Sequence, residues 1–350
     1  MTMLHHEERR PERKNIFYLD VIRIVAVYLV LLLHAISPFI TRLDLYDTLT
    51  WNVALGISPL VRMGVPLFFM MSGYLILSDP RTSDFATFYK RRLPRILIPF
   101  LVWNMIYYLV YHIVRGATGS VSEFLMGMFN QDIMYHFWYI YTLCGMYVLA
   151  PFFKRIVDNC TKRQVLLLLL VVLFPTTFIP FVCIFTKLNI YGFPTMLNGY
   201  FGFFIFGYLL GKWPPERKWR IVMYGLGIAA WFGGALGNYL TSSAEQMPLQ
   251  FNYGHNLVHF MTAGAFFVLM QALSDKLEKI LPAKTIKYWA SLTFGIYLCH
   301  VMCMDMWNHF VVTFATPAYC IVNSFAGSVI VSTLAVLCIS RIKPIKKLLM

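Results

Sequence analysis

Three ionisable side chains, Asp20, Arg23 and His34, lie within the first long apolar segment of the chain, residues 15–39. His34 follows Arg23 by eleven residues. At about 100° per residue, a helix places these two side chains within about 20° of each other and roughly 16 Å apart along its axis. Asp20, three residues before Arg23, can pair with it. Because charged groups cost free energy in hydrocarbon, this polar stripe is expected to face a pathway or a site inside the protein.

Each of these residues also has a structural interpretation. Arg23 lies one to two turns from the expected cytoplasmic interface, where its long side chain could reach the lipid headgroups. His34 could form a hydrogen bond that caps a neighbouring helix instead of doing chemistry. We favour a functional role for His34, because other stretches of the chain place further polar side chains at membrane depth.

Two further groups of cations accompany apolar segments. Arg92 and Arg95 have i, i+3 spacing at the start of a later segment, with Arg91 beside them, and planar guanidinium groups suit phosphate oxygens. Basic residues in a cytoplasmic loop also act as topology signals, so this cluster has two interpretations. Arg62 stands four residues before Pro66. The proline ring removes the hydrogen bond to the Arg62 carbonyl, which predicts a kink beside a buried cation. Transmembrane helices also tolerate proline generally, so Pro66 alone has a second, purely structural interpretation.

Aromatic and histidine side chains supply the remaining candidates for substrate binding. The stretch 135–143 carries an aromatic group that is either an interfacial belt or a substrate platform at the outer mouth. A later segment places a tyrosine and a histidine on one face, either as a hydrogen bond between helices or as part of a polar centre. These candidates, with Arg62, are His136, Trp138, Tyr139, Tyr297 and His300. His255 and His259 have a spacing that metal ligands can have, but without a third ligand we expect no metal.

The composition places these residues in a membrane protein. Of 350 residues, 59% are hydrophobic and 13% are charged. The net charge of +14 comes from short basic clusters between apolar runs, so it does not indicate nucleic-acid binding. The seven cysteines have no CxxC spacing and indicate neither a disulfide framework nor a zinc site.

Apolar runs of about 19 to 25 residues predict about ten transmembrane helices in one all-α bundle over residues 16–340. The runs lie near 16–37, 52–77, 96–114, 134–153, 164–182, 194–212, 220–240, 254–273, 289–311 and 318–340. Of the 30 Lys and Arg residues, 25 fall in six clusters, and the loops between these clusters carry only three. This bias predicts that both terminal tails, 1–15 and 341–350, are cytoplasmic.

Five stretches of the sequence, in order and spacing, resemble the integral-membrane acyltransferase family 3, or acyl_transf_3 family. They are LDVIRIVAVYLVLLLH, GVPLFFMMSGYLI, FYKRRLPRILIPF, HFWYIYTL and TFGIYLCH. The resemblance covers about residues 15–340. We expect the short, stand-alone type of the family, without a fused extracytoplasmic domain.

The resemblance implies a multi-pass O-acyltransferase of the bacterial cytoplasmic membrane. Such an enzyme takes an acyl group, usually acetyl, from cytosolic acyl-CoA and delivers it to a hydroxyl of a cell-surface polysaccharide or a lipid-linked sugar. His34 corresponds to the family's essential histidine and Arg23 to its arginine partner, with Asp20 as a further catalytic candidate. The residues that match the family's acyl-CoA site and its SGY element are Arg92, Arg95, Ser72 and Gly73.

These residues together suggest a mechanism. The phosphates of acyl-CoA would stay at the cytoplasmic arginines while the pantetheine arm reaches toward His34, so that only the neutral thioester enters the membrane interior. His34 would accept the proton of the acceptor hydroxyl, or would itself carry the acyl group. Candidate oxyanion donors are Tyr297, Ser72 and Asn104. The alternative function is a transporter or flippase for an intact glycan, since polar stripes and kinked helices also line transport paths.

Overall fold

The computed structural model describes residues 17–116, 119–186, 199–246, 249–252, 256–311 and 316–350. Within these ranges every regular element is helical, which confirms the all-α class. The α-helices are α1 Phe17–Ile40, α2 Leu49–Val61, α3 Gly64–Leu77, α4 Phe85–Arg92, α5 Pro94–Arg115, α6 Val121–Asn130, α7 Trp138–Asp158, α8 Lys162–Leu173, α9 Ile179–Thr186, α10 Tyr200–Lys212, α11 Arg217–Thr241, α12 Leu257–Ile280, α13 Ala283–Val311, α14 Pro317–Arg341 and α15 Lys343–Leu349.

Among the described residues, eight helical segments are long and apolar enough to cross a membrane, which confirms an integral membrane protein. Two of the ten predicted spans are not among these eight segments. The run predicted at 194–212 is the 13-residue helix α10, and its first predicted residues, 194–198, lie outside the described ranges. The run predicted at 289–311 lies within the 29-residue helix α13. The number of spans and the cytoplasmic placement of the termini remain predictions.

Helix α1 is packed on several sides, against α2, α3, α12, α13 and α14. Its positions Ile22, Ala26 and Val30 are at most 1% exposed. These residues recur every four positions, so they form one buried row along the helix. His34 continues this row, and α1 therefore carries it into the interior of the bundle.

Helices α3 and α10 approach each other at glycines. A Cβ built on Gly73 would lie 1.8 Å from the carbonyl oxygen of Phe204, and one built on Gly207 would lie 2.0 Å from that of Met70. Only residues without a Cβ allow the two backbones to come this close. Helix α10 is buried along nearly its whole length, which explains why its sequence is apolar on all sides.

The candidate span Leu49–Leu77 is interrupted near its middle. Helices α2 and α3 are separated by two residues, Arg62 and Met63. Pro66 has no N–H to offer the Arg62 carbonyl, and the helix is interrupted at this point, where the sequence predicts a kink. Gly64, at the start of α3, lies against α1, because a Cβ there would be 2.8 Å from a backbone oxygen of α1. The break therefore places Arg62 in the interior of the span.

A tight corner joins α3 to α5 on the side that the charge pattern assigns to the cytoplasm. Asp79 and Asp84 cap the two helical segments that follow them, and each carboxylate accepts a backbone N–H. Helices α4 and α5 are separated by one residue, Leu93, whose backbone is itself right-handed helical. Arg92 and Arg95 therefore lie next to each other on one helical face.

Candidate functional site

Three histidines from distant parts of the chain meet inside the bundle. His34 lies on α1, His136 in the 3-10 turn before α7, and His300 on α13. The ring centroids of His34 and His300 are 5.1 Å apart, and those of His136 and His300 are 5.0 Å apart. His34 and His136 are separated by 6.4 Å. The structure thus joins three candidates that lie more than 100 residues apart in sequence into one histidine cluster.

The members of the histidine cluster differ in their access to solvent. His136 is 1% exposed and His300 is fully buried. His34 is only partly buried. Of the three residues, His34 is therefore the most accessible to solvent.

Tyr297 holds the two buried histidines in place. Its hydroxyl donates a 2.5 Å hydrogen bond to the backbone carbonyl of His136. Its own carbonyl lies 2.6 Å from Nδ1 of His300. Since a carbonyl oxygen can only accept, Nδ1 of His300 carries the proton, and Nε2 of the neutral ring is an acceptor. Within the described chain Nε2 of His300 lacks a hydrogen-bond partner, a rare condition for a buried polar atom.

Tyr135 is a site residue that the sequence did not single out. Its hydroxyl lies 3.4 Å from Nδ1 of His34, and the two ring centroids are 5.3 Å apart. Tyr135 is 59% exposed, so it stands where the histidine cluster opens to the surface. The signal available in the sequence was its position immediately before His136, within a stretch that also fits an ordinary aromatic belt.

Aromatic rings continue from the histidine cluster towards Arg62. Tyr139 lies 5.2 Å from Tyr297 between ring centroids, and Trp138 lies 4.8 Å from Tyr200. Arg62 stands between Val61, which shares a buried cluster with Ile36 of α1, and Gly64, which lies against Val30 of the same helix, so it is at the level of His34. All the residues predicted to bind substrate therefore belong to one region around the histidines.

A cavity of about 220 Å³ extends from Arg92 and Arg95 to Tyr297. Its lining combines polar and apolar side chains. Tyr297 lines the end of this cavity, and its ring centroid lies 5.6 Å from that of His300 and 5.7 Å from that of His136. The polar residues of its lining are Arg23, Ser72, Arg92, Arg95, Tyr139, Tyr147, Thr293 and Tyr297. We call this space the donor cavity.

A second cavity of about 130 Å³ shares Arg92 and Arg95 with the donor cavity, and Arg91 also lines it. Arg92 donates to Asp79 at 2.9 Å, and Arg81 donates to the same carboxylate at 2.8 Å. Burial of Asp79 raises the pKa of its carboxyl, but the hydrogen bonds from Arg81 and Arg92 outweigh burial and hold that pKa below its ordinary value. Asp79 is therefore charged near neutral pH and orients Arg92. We call this basic cavity the vestibule.

The remaining predicted residues lie away from the histidines. Arg23 lines the donor cavity and pairs with Asp20 at 3.3 Å, and neither has a described contact with His34. The helix thus puts Arg23 and His34 on one face, as predicted, but in different parts of the site. Ser72 lines the donor cavity as well, whereas Gly73 faces the backbone of α10 and packs the two helices together.

One model of a known protein family matches almost the whole chain. The model of the acyltransferase domain, Acyl_transf_3, matches residues 16–341. The chain belongs to this family. A search of the curated proteins found no match, and a search of the solved structures found none either. The match spans α1 to α14, so the histidine cluster, the donor cavity and the vestibule all belong to the matched domain of this membrane acyltransferase.

A larger cavity of the acyltransferase, about 540 Å³, lies between α8, α10, α11 and α12. Its lining is apolar except for Thr177, and it shares no lining residue with the donor cavity or the vestibule. Size alone therefore does not identify the reactive part of the molecule, because this cavity offers no group that could move a proton or hold a phosphate.

The described part of the acyltransferase contains no group of three His, Cys, Asp or Glu side chains arranged to hold a metal ion. His259 is buried in the first turn of α12, while His255 lies outside the described residues. That the reaction uses no metal remains a prediction.

Proposed function

We propose that this membrane acyltransferase moves an acyl group, acetyl in the simplest case, from cytosolic acyl-CoA to a hydroxyl of a cell-surface polysaccharide or lipid-linked sugar. The observation that carries the proposal is the donor cavity, which is lined by Arg92, Arg95 and Tyr297, with the Tyr297 ring 5.6 Å from that of His300. A bacterial cytoplasmic membrane, with the donor inside and the acceptor outside, is the setting that such an arrangement suits.

The donor would bind with its phosphates at the vestibule. Arg91, Arg92 and Arg95 offer forked cationic donors there, and Arg92 is already oriented by Asp79. The donor cavity, at about 220 Å³, is smaller than an ordinary ligand pocket of about 300 Å³ or more. It suits the slim pantetheine arm and leaves the nucleotide in water, which avoids burying phosphate in hydrocarbon.

Transfer would occur where the thioester meets His34. The acceptor hydroxyl gives its proton to His34 as its oxygen bonds to the thioester carbonyl carbon. The carbon–sulfur bond then breaks, and the thiolate of CoA takes the proton back from the imidazolium. Asp20 and Arg23, on the wall of the donor cavity or beside it, would hold the donor rather than move this proton.

Tyr135 takes the role of a positioning residue in this proposal. A proton on Nδ1 of His34, donated to the Tyr135 oxygen, leaves Nε2 free to accept the proton of the substrate. Of the predicted oxyanion donors, Tyr297 already donates to the His136 carbonyl and Asn104 donates to a carbonyl of its own helix. Ser72, on the wall of the donor cavity, is the remaining candidate.

Tyr135→Phe is expected to lower kcat for transfer by about 10-fold with little change in KM for acetyl-CoA, because one hydrogen bond that orients the base is lost. Steady-state kinetics on the purified protein measure both constants. Tyr108→Phe is the matched control, since the Tyr108 hydroxyl donates to the Ser120 carbonyl at 2.9 Å, outside the histidine cluster. Equal effects of the two substitutions on kcat would remove Tyr135 from the mechanism.

The function itself is tested with purified protein, acetyl-CoA labelled in the acetyl group, and a surface polysaccharide fraction. The proposal expects free CoA thiol and labelled polysaccharide to form in equal amounts. A protein that binds or moves the glycan without consuming the thioester would not be an acyl-CoA-dependent transferase.

A further inference from the structure

Arg62 is a cation that has no counter-ion among the described residues. Among the described residues, the ion pairs of the chain all involve other side chains. Nε of Arg62 donates to Oγ of Ser58 at 3.2 Å. The two terminal nitrogens have no partner in the described chain and are not sealed from accessible space. The Nε edge of the guanidinium is thus held by Ser58, and the two terminal nitrogens are free to bind a ligand.

A buried polar network fixes the direction of this guanidinium. Ser58 donates to Oδ1 of Asn252 at 3.0 Å, and Nδ2 of Asn238 donates to the same oxygen at 3.0 Å. Oδ1 of Asn238 in turn accepts the backbone N–H of Phe251 at 3.0 Å. Ser58 and Asn238 are both fully buried. The network ties α2 and α11 to the loop before α12, so Arg62 is held by a rigid support.

The position of Arg62 separates it from the donor. The cations that line the donor cavity are Arg23, Arg92 and Arg95, and Arg62 is not one of them. It lies at the level of His34, because Gly64 packs against Val30 of α1 and Val61 shares a buried cluster with Ile36 of the same helix. A ligand at Arg62 would therefore lie beside the proposed base without occupying the path of acyl-CoA.

The fold alone does not supply the missing negative charge. Arg62 is the C-cap residue of α2, where the helix offers roughly half an elementary negative charge. Keeping an arginine in the middle of a span is costly, and such residues usually mark a substrate pathway. A ligand with a full negative charge would supply the counter-ion that Arg62 lacks.

We propose that Arg62 binds an anionic group of the acceptor, a carboxylate or a phosphate, and that the enzyme therefore acts on an anionic acceptor rather than a neutral one. Carboxylate and phosphate share the two oxygens that a guanidinium fork recognises. The assignment of the ligand as the acceptor rests on the proposed function, whereas the anion site stands on the geometry around Arg62.

The test is a direct binding measurement on the full-length protein in phosphatidylcholine nanodiscs. The probes are radiolabelled methyl glucuronide, which carries a carboxylate, its neutral counterpart methyl glucoside, and glucose 1-phosphate. The wild-type protein is expected to bind at least one anionic probe about 10-fold more tightly than the glucoside, which is the effect of one charge-assisted hydrogen bond. A preference for the glucuronide indicates an acidic sugar, and one for the phosphate indicates a phosphorylated carrier.

Arg62→Gln should abolish the preference, and Arg62→Lys should weaken it while keeping the charge. Arg42→Gln should retain it, because Arg42 is an exposed arginine paired with Asp44. Binding of acetyl-CoA to each variant reports that the protein is folded. An unchanged preference in Arg62→Gln, or in Arg62→Lys if the glutamine variant does not fold, would overturn the proposal, as would equal binding of all three probes by the wild type. Release of CoA is measured separately, so loss of the acyltransferase proposal would not be mistaken for loss of the anion site.

Discussion

His34→Gln is expected to lower acyl transfer by about 10²-fold or more, the usual range for general acid–base catalysis, while folding and acyl-CoA binding persist. Glutamine can still hydrogen-bond to Tyr135, but its amide cannot accept a proton near neutral pH. The donor cavity is lined by other residues, so its affinity for acyl-CoA should not change. Single-turnover transfer and equilibrium binding of acetyl-CoA measure the two effects independently.

The control for His34 is His309→Gln, at the exposed end of α13. If His34 were structural, His34→Gln would transfer nearly as fast as the wild type, and His34→Ala would lose stability because its partner would be left unsatisfied. Transfer by the wild type should also fall as the medium is acidified, since a protonated imidazole cannot take the hydroxyl proton. A His34→Gln protein with the wild-type rate would exclude His34 as the base.

Arg92→Lys combined with Arg95→Lys is expected to weaken acyl-CoA binding by about 10²-fold with normal membrane insertion. Lysine keeps the positive charge but loses the fork that can bind two phosphate oxygens, and each lost charge-assisted bond is worth about 10-fold. Arg92 would also lose its oriented contact with Asp79. Equilibrium binding of acetyl-CoA, with insertion checked by membrane fractionation, measures the change.

A second arginine pair supplies the matched control for this double substitution. Arg217 and Arg220 have the same i, i+3 spacing at the start of α11 and line neither the donor cavity nor the vestibule. Changing both to lysine should leave acetyl-CoA affinity unaltered. Wild-type affinity in the Arg92 and Arg95 variant would mean that these residues act only as topology signals.

Much of the fold follows from local patterns in the sequence. The period of the apolar residues predicts α1 and its polar stripe, and Pro66 predicts the break at Arg62. The 13-residue helix α10 is harder to delimit, because a helix that is apolar on every side carries no amphipathic signal. Helix α13 carries polar and charged residues along its 29 residues, so a hydropathy criterion alone does not identify it as a membrane span.

The site was predictable in its parts but not in its geometry. The sequence offers His34, His136 and His300 as separate candidates, and only the packing of α1, α7 and α13 shows that their rings meet. Tyr135 was missed because its contact with His34 joins residues 101 positions apart. Arg23 and His34 show a second limit of prediction from sequence. Two side chains on one helical face do not belong to one site when they are about 16 Å apart along the helix axis.

The most direct test of the account is transfer across a membrane. The purified protein is placed in sealed proteoliposomes with one orientation, with labelled acetyl-CoA only on the side that carries the 81–95 loop and the polysaccharide acceptor only on the other. The account predicts labelled acceptor outside and free CoA inside in equal amounts, and little of either when His34→Gln replaces the wild type. Labelled acceptor that forms only when acetyl-CoA and acceptor share one side, or acceptor that crosses the membrane with no CoA released, would contradict it.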